Sequence, residues 1–231
     1  MKVSAIIPAA GQGTRMGSST PKQYLLLKGQ PILHHTLLAF ETCGYVNSVT
    51  LVVPPNDLEQ ARKRWLKDYK IVKNIIAGGK QRQDSVYKGF KAIPADTDIV
   101  IVHDGVRPFV TSELIRRCIE TAQEFGAAIT AIRVSDTIKQ VNDEYFVTRT
   151  VDRNGLWRVQ TPQAFQYAIL DQAFQKAVND SYYGTDEGSL LEHAGNKLKI
   201  VGGSELNIKI TCKEDLILGE GILNSATFDR F

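Results

Sequence analysis

Val3-Ser4-Ala5-Ile6-Ile7-Pro8-Ala9-Ala10-Gly11-Gln12-Gly13-Thr14-Arg15-Met16-Gly17, followed shortly by Pro21-Lys22, is the stretch on which the fold turns. The run Val3–Ala9 is almost wholly apolar and ends in glycines, which reads as a strand buried on both faces and leading into a tight loop. It is about as long as a signal-peptide core, but Ser4, Pro8 and the glycines favour the strand. Glycines let backbone N–H groups approach an anion closely. Arg15 would add a planar fork for phosphate oxygens and Lys22 a mobile point charge. A plain tight turn is the competing reading. The loop has Met16 where a dinucleotide fingerprint needs its third glycine, and no acid stands ~20 residues on. The Walker spacing is absent as well, so a nicotinamide dehydrogenase and a P-loop ATPase are both disfavoured.

Beyond this loop, short apolar runs alternate with amphipathic stretches. Strands are expected at Val3–Ala9, Ser48–Val53, Ile71–Ile76, Ile99–His103, Ala127–Arg133, Leu198–Val201 and Asn207–Ile210. Helical patterns fill about 31–43, 57–67, 82–93, 112–125, 166–178, 186–195 and 213–224. Pro31 suits a first turn, Gly126 and Gly195 suit C-terminal stops, and Thr211 with Glu214 resembles a capping box. Alternating βα units with apolar strands imply a Rossmann-like, mostly parallel sheet with helices on both faces. Ligands of such sheets bind beyond the carboxyl ends of the strands, here the loops after Ala9, Ile76, Val102, Arg133 and Ile210. Thr137–Val151 breaks the pattern, alternating apolar and polar around Asn142-Asp143, and reads as an inserted β-hairpin. A lone hairpin is unstable, so this arm, Asp136 to Asp152, should lean on a second subunit. No repeat or linker appears, and residues 1–231 read as one domain with an arm.

The chain has 231 residues, 43% of them apolar, and a net charge of +3, which excludes disorder as the dominant state and gives no sign of a nucleic-acid partner. That charge is uneven: the first acid is Glu41, so Lys2, Arg15, Lys22 and Lys28 stand unopposed. A phosphate-bearing ligand or a solvated basic face would both explain it. Cys43, Cys118 and Cys212 form neither a zinc nor a disulfide pattern and are expected as small core residues in a reducing compartment. No apolar run approaches the ~18 residues of a membrane span, and a cytoplasmic protein is expected.

The early motif, Pro8-Ala9-Ala10-Gly11-x-Gly13-x-Arg15-Met16, resembles the signature of sugar-phosphate and polyol-phosphate nucleotidyltransferases. Pro21-Lys22-Gln23-Tyr24 narrows the resemblance to the cytidylyltransferases that act on methylerythritol phosphate in the non-mevalonate route to isoprenoids. Five later blocks continue it over essentially the whole chain.

The first of these, Gly78-Gly79-Lys80-x-Arg82-x-Asp84-Ser85-Val86, reads equally as a glycine turn capped by Asp84 and Ser85 or as a ligand loop. The resemblance implies that Gly79, Ser85 and the backbone read cytosine, together with Ala9, Ala10, Gly11, Gly13 and Gly105 on the nucleotide. Asp104, leaving an apolar run at the ligand edge, is either part of an Asp-Gly turn or well placed to hold Mg²⁺ through one oxygen. The resemblance implies the second, with Mg²⁺ or another divalent cation as cofactor, and has Arg107 hold the acceptor. His103 is expected to be packed or hydrogen-bonded, not catalytic. Val151-Asp152-Arg153-Asn154-Gly155-Leu156-Trp157 and Gln160-Thr161-Pro162-Gln163 extend the resemblance, which implies a homodimer in which Arg153 binds the acceptor phosphate in trans, with hydroxyl contacts from Thr137 and Thr161. On residue types alone, Arg153 would pair at the surface with Asp152 or Asp136. Thr185, before Asp186-Glu187, reads as a simple N-cap, a place compatible with contacting substrate. Lys209, expected mid-strand among apolar neighbours, needs an anionic partner, and the resemblance has it position the acceptor phosphate.

The reaction implied is in-line attack of a polyol phosphate on the α-phosphorus of CTP, releasing pyrophosphate. An ionised phosphate needs no general base, consistent with the lack of a Ser-His-Asp or Cys-His arrangement. Arg15, Lys22, Arg153 and Lys209 would do electrostatic work. A ribitol-5-phosphate cytidylyltransferase shares the nucleotide loop, but Thr185-Asp186-Glu187-x-Ser189-Leu190 and Asn207-Ile208-Lys209 fit the methylerythritol enzymes better. A non-catalytic nucleotide-sensing module would have no need of the acceptor half.

Overall fold

The structure, a computed structural model, describes residues 1–11 and 20–225. Gly13 and Arg15 therefore lie outside the described residues. The chain runs β1 (Val3–Pro8), the two-strand ribbon β2 (Leu26–Leu27) and β3 (Gln30–Pro31), α1 (Ile32–Thr42), β4 (Ser48–Val53) and α2 (Leu58–Asp68). There follow β5 (Val72–Ala77), α3 (Arg82–Ala92), β6 (Ile99–Val102), α4 (Ser112–Phe125) and β7 (Ala127–Arg133). The arm is β8 (Ile138–Val141) and β9 (Val147–Val151), and the chain ends with β10 (Trp157–Gln166), α5 (Tyr167–Asn179), α6 (Glu187–His193), β11 (Lys199–Gly202) and α7 (Lys213–Asn224).

Seven of these strands form one sheet in the order β11-β7-β10-β6-β1-β4-β5. Every pairing is parallel except those of β10, which runs antiparallel to both β6 and β7. The continuous apolar runs are explained by burial on both faces. Along β1, Val3, Ala5 and Ile7 pack beneath α1, α2 and α4 with Phe40, Trp65 and Leu114. Ile6 points the other way, to α3, α5 and α6 with Phe90, Phe174 and Leu190. Each Val, Ile, Leu or Phe among them stabilises the fold by roughly 1.5–3 kcal/mol on burial. A third cluster of Leu27, Ile32, Val106, Phe109 and Ile210 is covered by α7.

Six expected strands are present, two with the expected bounds. Asn207–Ile210 is not a strand. Ile210 N–H donates to the Val106 carbonyl at 2.9 Å and Arg107 Nη1 to the Asn207 carbonyl at 2.8 Å, so the segment is an extended loop pinned at two points. Conversely, Trp157–Gln166 is a long strand whose ladder with β7 shifts between Val159 and Gln163. The α7 capping box lies one residue beyond Thr211 and Glu214. Cys212 is the N-cap, half-buried and not in the core, and Asp215 closes the box. Gly126 at φ 87° closes α4 as expected. The arm forms, and its Ile138, Val141, Tyr145, Phe146 and Val147 are all exposed. Among the described residues no helix is long and apolar enough to cross a membrane.

Candidate active site

At the carboxyl edge of the sheet lie two adjoining cavities. The larger, about 530 Å³, is lined by Pro8, Ala9, Ala10 and Gly11 from the end of β1, by Lys22, and by Gly79, Arg82 and Ser85 from the β5–α3 loop. Close backbone approach shapes its floor. A Cβ on Gly78 would sit 2.5 Å from Ala10 Cβ, and one on Gly79 would sit 2.3 Å from Asp84 Cβ. The buried Ser85 hydroxyl accepts the Gly79 N–H at 3.0 Å and donates to the Gln81 carbonyl at 3.1 Å, holding the loop closed. Asp84 completes the α3 capping box with Gln81.

The smaller cavity, about 230 Å³, is lined by Arg107, Thr161 and Thr185 and shares Arg82, Asp104 and Lys209 with the larger. Asp104, buried just past β6, is the hub. Arg82 Nε approaches its Oδ1 at 3.2 Å, and Lys209 Nζ its Oδ2 at 2.8 Å. Arg107 Nε lies 3.7 Å from Oδ2 and, though buried, has no hydrogen-bond partner among the described residues. Burial works to raise the Asp104 carboxyl, but Arg82 first and Lys209 next overcome it and hold it far below the usual carboxylate range. Burial likewise lowers Arg107 despite Asp104.

His103 is fully buried, and burial pushes its ring down to about 4. A neutral ring fits the contacts. Nε2–H donates to the Arg107 carbonyl at 3.0 Å, leaving Nδ1 to accept the Thr161 hydroxyl at 3.1 Å. That hydroxyl in turn accepts the Asp104 N–H at 3.1 Å. The histidine is therefore packed and hydrogen-bonded, the Thr161 proton is committed to His103, and the Thr161 oxygen holds the Asp104 backbone.

The structure brings Lys22, Ser85, Asp104, Arg107, Thr161, Thr185 and Lys209 to one edge. Lys209 has the expected anionic partner, in Asp104, although on a loop. Thr185 is not the N-cap of α6. Asp186 is, its Oδ1 accepting the Ser189 N–H at 2.9 Å, and Thr185 stands exposed just before it. Gly105 packs inward, where a Cβ would meet Ala9, Leu33 and Ile7 at 3.1–3.3 Å. Thr137 and Arg153 are exposed on the arm and line neither cavity, and Arg153 Nη1 donates to the Ser135 carbonyl. Two charged residues escaped the sequence reading. Arg82 Nη1 bonds both oxygens of the buried Glu187, at 2.8 and 3.0 Å. A cation at the first position of a helix, against the macrodipole, was the available signal.

A glycine-edged cavity and a cation-ringed carboxylate meeting at this edge suit group transfer between two phosphate-bearing substrates, the work of a nucleotidyltransferase. The sequence profile of 2-C-methyl-D-erythritol 4-phosphate cytidylyltransferase matches residues 3–225, and the chain belongs to that family. It is 47% identical over 224 residues to the cytidylyltransferase of that name from Syntrophus aciditrophicus, covering 96% of each chain. A second relative of the same name, from Alkaliphilus metalliredigens, is 46% identical over 96% of this chain and 93% of its own. Among solved structures, 4-diphosphocytidyl-2C-methyl-D-erythritol synthase from Anaerococcus prevotii superposes with a TM-score of 0.85 at 32% identity, covering 97% of this chain and 96% of that one. The Thermus thermophilus cytidylyltransferase gives 0.80 at 33% identity, covering 97% and 100%.

Proposed function

We propose that the chain transfers the cytidylyl group of CTP to 2-C-methyl-D-erythritol 4-phosphate, giving 4-diphosphocytidyl-2-C-methyl-D-erythritol and pyrophosphate. The observation that carries this reading is the pair of cavities joined through Arg82, Asp104 and Lys209. CTP occupies the larger, its base against the Gly79–Ser85 loop and its triphosphate beside Ala9, Ala10, Gly11 and Lys22; by the resemblance, Gly13 and Arg15 take part in binding it. The acceptor phosphate enters the smaller, where Arg107 Nε is a buried donor with no hydrogen bond among the described residues. An acceptor oxygen bonds to the α-phosphorus, the bond from that phosphorus to the bridging oxygen breaks, and pyrophosphate leaves with the electron pair. A phosphate monoester is largely ionised near pH 7, so no base is required, and His103 beside the site is neutral and occupied.

Asp104 is a hard oxygen donor, and among the described residues no cluster of three metal-ligating side chains exists. That suits Mg²⁺, which is commonly held by one or two carboxylates plus substrate phosphates. Bound there, it would neutralise charge on the phosphates. Lys22 and Arg15 stabilise the charge that grows on the α-phosphate, and Lys209 and Arg107 orient the acceptor. The exposed apolar arm supports a pairing of two chains, in which Arg153 and Thr137 of one serve the acceptor cavity of the other. Pyrophosphate release, measured over CTP, UTP and ATP crossed with methylerythritol 4-phosphate and ribitol 5-phosphate, tests the assignment. Turnover highest with CTP and the branched tetritol phosphate is expected. Preference for ribitol 5-phosphate, or CTP binding without release from either acceptor, would overturn it.

A further inference from the structure

Arg82 and Glu187 are two charges at this site to which the transfer assigns no task. Arg82 opens α3 and Glu187 opens α6, so each begins a helix that borders the site. The arginine is at the end of its helix where the macrodipole opposes it. Glu187 is 1% exposed, and a carboxylate so far from water needs a cation. One guanidinium answers both needs. Its Nη1 bonds the two oxygens of Glu187 at 2.8 and 3.0 Å while its Nε bonds Asp104 Oδ1 at 3.2 Å. The carboxylates of Glu187 and Asp104 keep Arg82 charged in spite of its burial. Asp104 Oδ2 is held differently, among the described residues by Lys209 alone at hydrogen-bond distance, on a side chain 34% exposed and carried by a loop. Arg82 is anchored at two carboxylates and Lys209 at one, so Oδ2 is the oxygen more readily released.

We propose that Arg82, anchored by Glu187, is a positioning residue. It fixes Asp104 through Oδ1, leaving Oδ2 to a divalent cation, and it ties the nucleotide loop at the start of α3 to the acceptor loop at the start of α6. The inference rests on the reading of Asp104 as the metal ligand. Its test is direct binding of Mn²⁺ to the full chain saturated with CTP and without acceptor, read as free Mn²⁺ by electron paramagnetic resonance. Glu187→Gln takes one anchor from Arg82, and Arg82→Lys keeps the charge but cannot span both carboxylates. Each is expected to weaken Mn²⁺ binding by about tenfold to a hundredfold, as loss of a group orienting a metal ligand does. CTP affinity in EDTA should stay within about twofold in Glu187→Gln, since Glu187 lines neither cavity.

The double variant Arg82→Met/Glu187→Gln removes both charges together. It is expected to recover the thermal stability that a single change loses, yet to remain weak in Mn²⁺. Recovery of Mn²⁺ affinity along with stability would show that the pair only staples two helix starts and would overturn the proposal, as would unchanged affinity in both single variants. Where a single variant does not fold, the double variant decides alone. Asp104→Asn separates the two layers. If it leaves Mn²⁺ binding intact, Asp104 is not the ligand and both readings fall; if it abolishes binding while the Arg82 and Glu187 variants do not, only the positioning role falls.

Discussion

Replacing Lys209 by methionine keeps the length of the side chain and removes its charge, which makes it a clean test of how the acceptor cavity works. Lys209 Nζ lies 2.8 Å from Asp104 Oδ2, but Asp104 also has Arg82 at 3.2 Å and Arg107 at 3.7 Å. The variant therefore leaves no buried carboxylate stranded. With the lysine side chain 34% exposed, solvent screening brings the expected loss of stability to about 1 kcal/mol or less. For a chain of this size that is a fall in Tm of about 2–4 °C. Function should suffer more. A charge-assisted hydrogen bond to the acceptor phosphate contributes about 1.5–3 kcal/mol. At about 1.4 kcal/mol per decade, kcat/KM for methylerythritol 4-phosphate should fall by about tenfold to 150-fold. Lys209 borders both cavities, so the discriminating quantity is the ratio of effects. In a two-substrate assay of pyrophosphate release, the loss in the acceptor parameter should exceed that in the CTP parameter by about tenfold. Lys209→Arg, which keeps a cation, should regain part of it. An equal or larger loss in the CTP parameter would move Lys209 to the nucleotide side, and an unchanged acceptor parameter would place the acceptor phosphate elsewhere.

Lys22→Ala should lower kcat by roughly 10²–10³ with an unchanged circular-dichroism spectrum, because the lysine sits in a single short turn on the cavity rim. Gly78→Ala should raise the calorimetric Kd for CTP and cost about 1–3 kcal/mol of stability, since its Cβ would stand 2.5 Å from Ala10 Cβ and 2.9 Å from Ser85 Oγ. Asp104 has a carboxyl held low in the folded chain, so its contribution to stability is present above the ordinary aspartate range near ~3.9 and is lost as pH falls below it. Melting curves from pH 6 to pH 3 should consequently show a shallower acid limb in Asp104→Asn. Arg153→Ala and Lys209→Met chains, each impaired alone, should regain about a quarter of wild-type activity when refolded together, because half of the random pairs hold one intact site. No recovery on mixing would confine Arg153 to its own chain.

Much of the fold is legible in the sequence because a strand buried on both faces leaves a continuous apolar run. β1, β4 and β6 are such strands, and Gly126 marks the end of α4, the helix that follows β6. β10 hides for the opposite reason. It carries Gln160, Pro162 and Gln163, which read as a polar loop, yet both glutamines are buried with partners. Gln160 donates to the Ser204 carbonyl at 2.8 Å and Gln163 to Asp186 Oδ2 at 2.7 Å, both long-range contacts that no local pattern announces. The proline falls where the ladder shifts, the place in a sheet that tolerates a missing N–H. Asn207–Ile210 misleads in the other direction. Ile210 is buried and Ile208 half-buried, but both pack in the cluster under α7 instead of the sheet.

The site divides along the same line. Asp104 is legible because a carboxylate after an apolar run must lie at the ligand edge, and Lys209 because a lysine among apolar neighbours demands an anion. Each was read singly, and the structure shows that part of the answer to each is the other. Arg153 and Thr137 resist any single-chain reading, since their proposed task needs a second copy. Arg82 and Glu187 show the limit of local rules most plainly. An acid at the start of α6 agrees with the macrodipole and so attracts no notice, while a cation at the start of α3 disagrees and should. The disagreement has a cause 105 positions along the chain, in a buried carboxylate that would be untenable without it. A residue that breaks a local rule is thus a pointer to a distant partner, and here the partner lies at the start of the other helix bordering the site.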